Sequence, residues 1–334
     1  MDNFINNVAK QINEKIASLK FNDKVNNLYL PIIYTLDNGG KRVRPLMMLL
    51  AYNLFKDDYM SIINNAIALE VYHNFTLLHD DVMDKAKMRR GKPCVHIKWN
   101  ENTAILSGDA MLIFAYELMT RDFNESKWEY NKIRAFKKAL VAFNEATLGV
   151  CEGQQFDMDF ENMTDVTEQQ YMDMIRLKTS LLLSAAMKMG AILAEADEED
   201  VHHLSVFGEK IGLAFQIQDD ILDVYADPKI FGKAVGGDIA ENKKTFLLIK
   251  AFEVADKQIV EKLNYWINLK HFEFQEKFMA VKHIYDILNV RFIAENKVNE
   301  LFNDAMTHLN CVNVSDDKKI YLKQMALKLM NRDN

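Results

Sequence analysis

The sequence predicts an all-α protein, and three observations carry that expectation. The 334 residues include only 12 Gly and 4 Pro, too few for the turns that a sheet-rich fold of this size needs. Apolar residues recur at helical spacing almost from end to end. No low-complexity linker and no shift in composition marks a boundary, so residues 1–334 read as one domain, with 49% hydrophobic residues to fill its core.

The elements follow in order. Val8, Ile12, Ile16 and Leu19 lie on one face of an opening helix. Pro31 suits the start of a second helix, and the turn Asp37-Asn38-Gly39-Gly40 closes it. A third begins near Pro45 and carries Leu46 to Phe55. The apolar segment Ile62 to Met83 leads into a loop from Lys85 to Pro93. Further helices are predicted over about 103–120, 130–153, 168–195 and 199–225, with Pro228 as the stop. From about 241 to 331 the helical spacing resumes.

Bulk properties narrow the function. A formal net charge of −7 argues against a nucleic-acid partner or an anionic lipid surface. Cys94, Cys151 and Cys311 are odd in number and lack metal-ligand spacing, as expected of reduced thiols in a cytoplasmic protein. The start Met1-Asp2-Asn3-Phe4 shows no signal-peptide pattern. No run of about 18 uncharged apolar residues predicts a membrane span.

Two short segments repeat the pattern DDxxD: Asp80-Asp81-Val82-Met83-Asp84 and Asp219-Asp220-Ile221-Leu222-Asp223. On a helix the first and last aspartates of each lie one turn apart on the same face. A solvated acidic face is the plain alternative. Apolar neighbours oppose it: Phe75 to Leu78 before the first trio, and Ile217, Ile221, Leu222 and Val224 around the second. Uncompensated carboxylates on such faces are costly. Each trio also ends a helix, where the backbone dipole favours cations. Oxygen-only ligands suit Mg²⁺, which keeps several waters and bridges to phosphates.

Basic residues gather near the trios in sequence. Gly39-Gly40-Lys41-Arg42-Val43-Arg44-Pro45 places cations at a helix start, an anion site without Walker spacing. Arg89-Arg90-Gly91 follows the first trio, and arginine is a bidentate partner of phosphate. Lys178-Thr179 interrupts apolar stretches, and Lys233 and Lys243 bracket Gly236-Gly237 after the second trio. The set fits a site for two diphosphates.

Taken together, GGKRVRP, HDDVMD, RRGKP, GDAML, EGQQFD, LKTS, FQIQDDILD and GGDIAENKKT resemble, in order and spacing, the trans-isoprenyl diphosphate synthases, the group that includes farnesyl and geranylgeranyl diphosphate synthases. The likeness runs from about residue 39 to 246. It implies a helical bundle of the isoprenoid synthase type around a deep apolar cavity, three Mg²⁺ per active site and a homodimer. By position it implies Asp80, Asp81, Asp84, Asp219 and Asp220 as metal ligands, with Asp223 a weaker or indirect one. Lys41, Arg44, His73 and Arg90 match the isopentenyl diphosphate site. Arg89, Lys178, Lys233 and Lys243 match the allylic diphosphate site. Gln154, Thr179 and Gln216 match polar groups near the reacting carbons. The catalytic set so implied is Asp80, Asp81, Lys178, Thr179 and Gln216. Cys94 stands where threonine is usual and Asn242 where glycine is frequent, and neither is expected to touch a residue of the site.

The reaction implied is a Mg²⁺-dependent condensation of isopentenyl diphosphate with an allylic diphosphate. For product length, Phe75 lies five residues before Asp80, about 7.5 Å deeper along the helix at 1.5 Å per residue. Its ring can floor the tail pocket or simply pack in the core. A lone aromatic here, beside Thr76 and above Tyr72, resembles geranylgeranyl synthases and favours twenty carbons over fifteen. A metal phosphohydrolase using His73 and His79-Asp80 would leave the second trio idle. A terpene cyclase would not need GGKRVRP, and a non-catalytic partner subunit typically loses aspartates that this chain keeps.

Overall fold

The computed structural model describes residues 2–226 and 235–331, and its regular elements are helical apart from one short hairpin. In chain order the α-helices are α1 Asp2–Ala17, α2 Asn26–Leu36, α3 Val43–Asn53, α4 Ile63–Met83, α5 Val95–Lys98, α6 Glu101–Thr120, α7 Tyr130–Glu161, α8 Glu168–Ile175, α9 Leu181–Leu193 and α10 Glu198–Tyr225. They continue with α11 Gly237–Ala240, α12 Phe246–Val254, α13 Lys257–Asn268, α14 Phe274–Ile287, α15 Val290–Cys311 and α16 Asp316–Met330. Side-chain caps start several of them. Asn100, Thr245 and Asp256 each accept a first-turn amide, and Thr167 with Gln170 forms a reciprocal capping box, satisfying N–H groups that a helix start leaves unpaired.

The all-helical expectation holds, with local differences. Pro31 lies inside α2 rather than at its start. A 3₁₀ turn, Asp23–Val25, capped by the Asn22 side chain, coils the chain earlier. Leu19 falls beyond the end of α1. The loop after α4 contains an antiparallel hairpin, β1 Met88–Arg89 with β2 Lys92–Pro93, closed by Arg90 and Gly91, both at positive φ. The predicted helix over 168–195 is broken at Arg176–Ser180, which forms a π-helical turn between α8 and α9. Pro228 and Lys233 lie outside the described residues.

The residues group into two compact units. The first comprises residues 1–144 and 186–201. Its axis is α4, against which α6 packs most extensively, with α3, α2 and α1 completing the layer. Ala66, Ile67, Ala68, Leu69 and Val71 of α4 are wholly buried, so the helix that carries the first aspartates is a core element. The second unit comprises residues 145–185 and 202–334. Its core joins Tyr171 and Ile175 of α8, Ile217 and Ile221 of α10, Phe246 and Leu247 of α12, and Val290 and Ala294 of α15. Here too the aspartate-bearing helix is held from several sides. Among the described residues, no helix is long and apolar enough to cross a membrane.

Candidate active site

In the first unit, the sequence-predicted cations converge on the C-terminal half of α4. Gly39 and Gly40, at φ +74° and +137°, bend the chain after α2 in conformations that favour glycine. Arg90 from the hairpin donates to the Gly39 carbonyl. A Cβ on Gly40 would stand 2.8 Å from Arg90 Nη1, so the glycine makes room for the guanidinium. Arg44, in the first turn of α3, has its Nε buried without a hydrogen-bond partner among the described residues. Burial pulls Arg44 down to about 10, with Arg90 acting the same way and Glu70 opposing. His73 is pushed well below its ordinary value by burial, then by Arg44, Arg90, Arg89 and Arg42. A neutral imidazole amid arginines can hydrogen-bond an anion without adding to their repulsion. Lys41 is exposed on the same turn.

The first aspartates end α4 as expected. Asp81 is buried, Asp80 half-buried, and Asp84 caps the helix in the open. Arg89 Nε donates to Asp81 Oδ1 at 2.7 Å. Gly108 of the GDAML segment serves this end of α4, because a Cβ there would overlap the His79 imidazole, whose Nε2 lies 3.1 Å from the Ile105 carbonyl oxygen. Phe75 is buried between Tyr72 and His79, with ring centroids at 5.4 and 4.8 Å, and Tyr72 meets Phe143 at 5.9 Å.

Two residues behave differently from the sequence reading. Arg42 turns inward: at φ +47° it donates to Glu70 Oε1 at 2.7 Å, to the Leu36 carbonyl at 2.6 Å and to Asn13 at 3.2 Å. Cys94, expected to lie apart from the site, is buried against Asp81. Burial, then the charge and hydrogen bonding of Asp81, push its thiol up to about 12. The thiol is a weak donor to that carboxylate.

In the second unit, the π-helical turn presents Lys178 and Thr179. A Cβ on Gly153 of α7 would meet the Lys178 Cα at 2.7 Å and its backbone nitrogen closer still. Backbone cannot move aside as a side-chain tip can. Gly153→Ala is therefore expected to separate α7 from the π turn and cost about 2–3 kcal/mol, read as a lower denaturation midpoint with condensation reduced in parallel. Gln154 follows on α7, half-buried. One turn on, Asp157 accepts Lys178 Nζ at 2.5 Å. It stands within EGQQFD, yet sequence reasoning gave it no role; its spacing of three residues after Gln154, on the same helix face, was the available signal.

Thr179 Oγ1 lies 3.2 Å from Gln216 Oε1, and Gln216 Nε2 donates to Asp220 Oδ1 at 3.2 Å. Asp220 Oδ2 accepts the Tyr171 hydroxyl at 2.6 Å and the Phe246 amide at 3.0 Å. Asp223 accepts the Asp238 amide at 3.1 Å, and its carbonyl accepts the Gly236 amide at 2.6 Å. Asp223 thus ties α10 to the Gly236 turn. Asn242 adopts φ +56°, the left-handed region in which glycine is frequent and asparagine tolerated. Its side chain is held by the Ile267 carbonyl and Lys277 Nζ, at 3.0 and 2.7 Å. It leads into Lys243, whose Nζ lies 3.9 Å from Asp238 Oδ1. Asp238, which sequence reasoning missed, joins the acidic group.

The donor chemistry of this unit fits a hard divalent cation. Burial lifts Asp220 to about 6 against the hydrogen bonds from Tyr171, Phe246 and Gln216. Burial lifts Asp238 to about 8, Lys243 opposing and Asp223, Asp220 and Asp219 adding their charge. A cation among these carboxylates would offset the repulsion between Asp238 and its acidic neighbours. Among the described residues, no three His, Cys, Asp or Glu side chains form a ready-made metal-binding group.

Comparison with known proteins identifies the family. The polyprenyl synthetase family model matches residues 25–288. A geranylgeranyl diphosphate synthase from Methanosarcina mazei is 40% identical over 249 residues, 75% of this chain and 75% of that protein. The solved geranylgeranyl pyrophosphate synthetase from Pyrococcus horikoshii matches with a TM-score of 0.90 at 31% identity, over 99% of this chain and 98% of that one. A polyprenyl synthase from Caulobacter crescentus, solved with calcium and isoprenyl diphosphate, matches with a TM-score of 0.85 at 25% identity, over 99% and 96% of the two chains. With the family model spanning most of its length and the aspartate trios and basic turns in place, the chain belongs to the polyprenyl synthetase family.

Proposed function

We propose that this protein is a geranylgeranyl diphosphate synthase, condensing isopentenyl diphosphate with allylic diphosphates up to a twenty-carbon product, and that its 334 residues work as one catalytic domain. The observation that carries the reading is the buried, unpartnered Arg44 Nε beside Arg90 and a neutral His73. It provides an anion site additional to the aspartates, as a two-diphosphate reaction requires and a one-diphosphate cyclase does not.

Lys41, Arg44, His73 and Arg90 take isopentenyl diphosphate. Arg89, Lys178 and Lys243 take the allylic diphosphate, with Asp80, Asp81, Asp84, Asp219 and Asp220 as ligands to divalent metal and Asp223 supporting them through the Gly236 turn. These carboxylates would hold Mg²⁺, three ions in this reading, which would supply positive charge to the departing diphosphate. The allylic C–O bond breaks, the isopentenyl double bond attacks the cation, and the proton lost afterwards goes to the released diphosphate. Thr179 and Gln216 direct oxygen dipoles toward the developing positive charge. Gln154 lines the same region.

Phe75, with Tyr72 beneath it, limits the chain. Phe75→Ala is expected to shift the main product to twenty-five carbons or more, resolved by chromatography of the hydrolysed prenols. An unchanged length would return Phe75 to core packing. Leu106 and Ile113, both well exposed and seven residues apart on one face of α6, support a homodimer, and a single-chain mass by light scattering would remove it.

The deciding assay incubates the protein with Mg²⁺, labelled isopentenyl diphosphate and dimethylallyl, geranyl or farnesyl diphosphate in turn. A discrete twenty-carbon product confirms the reading. A fifteen-carbon end product corrects the length, and no condensation with any primer overturns the assignment.

A further inference from the structure

A carboxylate has about four lone-pair positions, two on each oxygen. On Asp220 the Tyr171 hydroxyl at 2.6 Å and the Phe246 amide at 3.0 Å occupy both positions of Oδ2, while Gln216 Nε2 at 3.2 Å occupies one of Oδ1. Only one Oδ1 position remains. Tyr171 is itself 2% exposed. Its ring lies 6.0 Å from that of Phe246, and it sits in the first turn of α8 behind the Thr167–Gln170 capping box. The phenol is therefore aimed by a capped helix and a packed ring, with no solvent to share its hydroxyl.

Resting on the reading of Asp220 as a metal ligand, we propose that Tyr171 is a positioning residue that closes Oδ2 and makes Asp220 a one-oxygen ligand through Oδ1. Ion selectivity follows. Mg²⁺ demands near-ideal octahedral geometry, whereas Ca²⁺ accepts carboxylates through one oxygen or both. Without the phenol, Oδ2 regains a lone pair and Asp220 is free to chelate with both oxygens, a mode that suits calcium and not magnesium. Ordinary core packing of the tyrosine would alter stability without changing the preference between the two ions.

The test is calorimetric titration of Mg²⁺, and separately Ca²⁺, into wild type and Tyr171→Phe, each holding inorganic diphosphate. In the variant, Mg²⁺ is expected to bind about tenfold more weakly, the lower end of the effect of losing a partner to a metal ligand. Ca²⁺ should weaken by less, so that the calcium-to-magnesium affinity ratio rises. Unchanged binding, or equal weakening of both ions, overturns the inference while leaving the site intact. Failure of the wild type to bind either ion overturns the metal reading as well. Should Tyr171→Phe not fold, 3,5-difluorotyrosine at position 171 keeps the shape and strengthens the donor. The ratio must then move toward magnesium, and an unmoved ratio overturns the inference.

Discussion

Asp80→Ala and Asp219→Ala are each expected to reduce condensation by at least about 10³-fold, roughly 4 kcal/mol in barrier height. The reason is specific to an ionisation. The allylic C–O bond breaks only if the departing diphosphate is neutralised as it forms, and cations held by carboxylates do most of that work. Neither substitution should unfold the protein. Both sites are in the last turns of buried helices, both side chains are only half-buried, and alanine has the higher helix propensity. Initial rates with labelled isopentenyl diphosphate at saturating Mg²⁺, beside thermal melts, separate the two effects. A normal rate in either variant would remove the two-cluster metal model. Asp84→Ala, at an exposed helix cap, should lose less.

Arg42→Ala is expected to cost about 3–5 kcal/mol of stability, the penalty for stranding one partner of a buried ion pair. Both side chains of the Arg42–Glu70 pair are 4% exposed, so Glu70 would be left charged and dry, and the Leu36 carbonyl and Asn13 would lose a donor. That is a large share of the 5–15 kcal/mol that holds a typical domain together. The anion site should fail with it, since Arg42 anchors the turn from which Lys41 and Arg44 project. A denaturant midpoint reads the loss, and the double change Arg42→Met with Glu70→Leu should recover most of it. Equal midpoints for wild type and Arg42→Ala would show that the pair contributes nothing.

Much of this was legible in the sequence because it is written in period and spacing. The apolar stripes place the helices, and two DDxxD segments with apolar flanks mark helix ends that carry charge into a core. What was not legible depends on tertiary neighbours. In GGKRVRP three cations look alike, and only the left-handed backbone at Arg42 separates the one that turns into the core from the two that stay with the site. The π turn at Arg176–Ser180 gives no periodic signal of its own, because it shifts one residue within an otherwise helical pattern; Gly153, the residue that admits it, lies some 25 positions earlier. Tyr171 and Phe246 read as ordinary core aromatics, and their contact with Asp220 arises only when α8, α10 and α12 pack together. Pro31 misled because proline marks a first turn only when nothing before it has begun to coil.

The paired state of the diphosphate-matching cations has a consequence for what the protein ignores. Arg89 rests on Asp81 and Lys178 on Asp157, so these positive charges are already answered in the free protein. An anion that arrives alone must compete with a carboxylate held at contact distance, and a chloride or a singly charged phosphate ester gains too little to win. On the proposed assignment of Arg89 and Lys178 to the allylic diphosphate, divalent ions arriving with a diphosphate would give Asp81 a new partner as Arg89 leaves it, so that charge would remain satisfied through the exchange. On that assignment, the resting ion pairs would act as a filter on valence: common cellular anions would leave them closed, and a diphosphate arriving with divalent ions would open them.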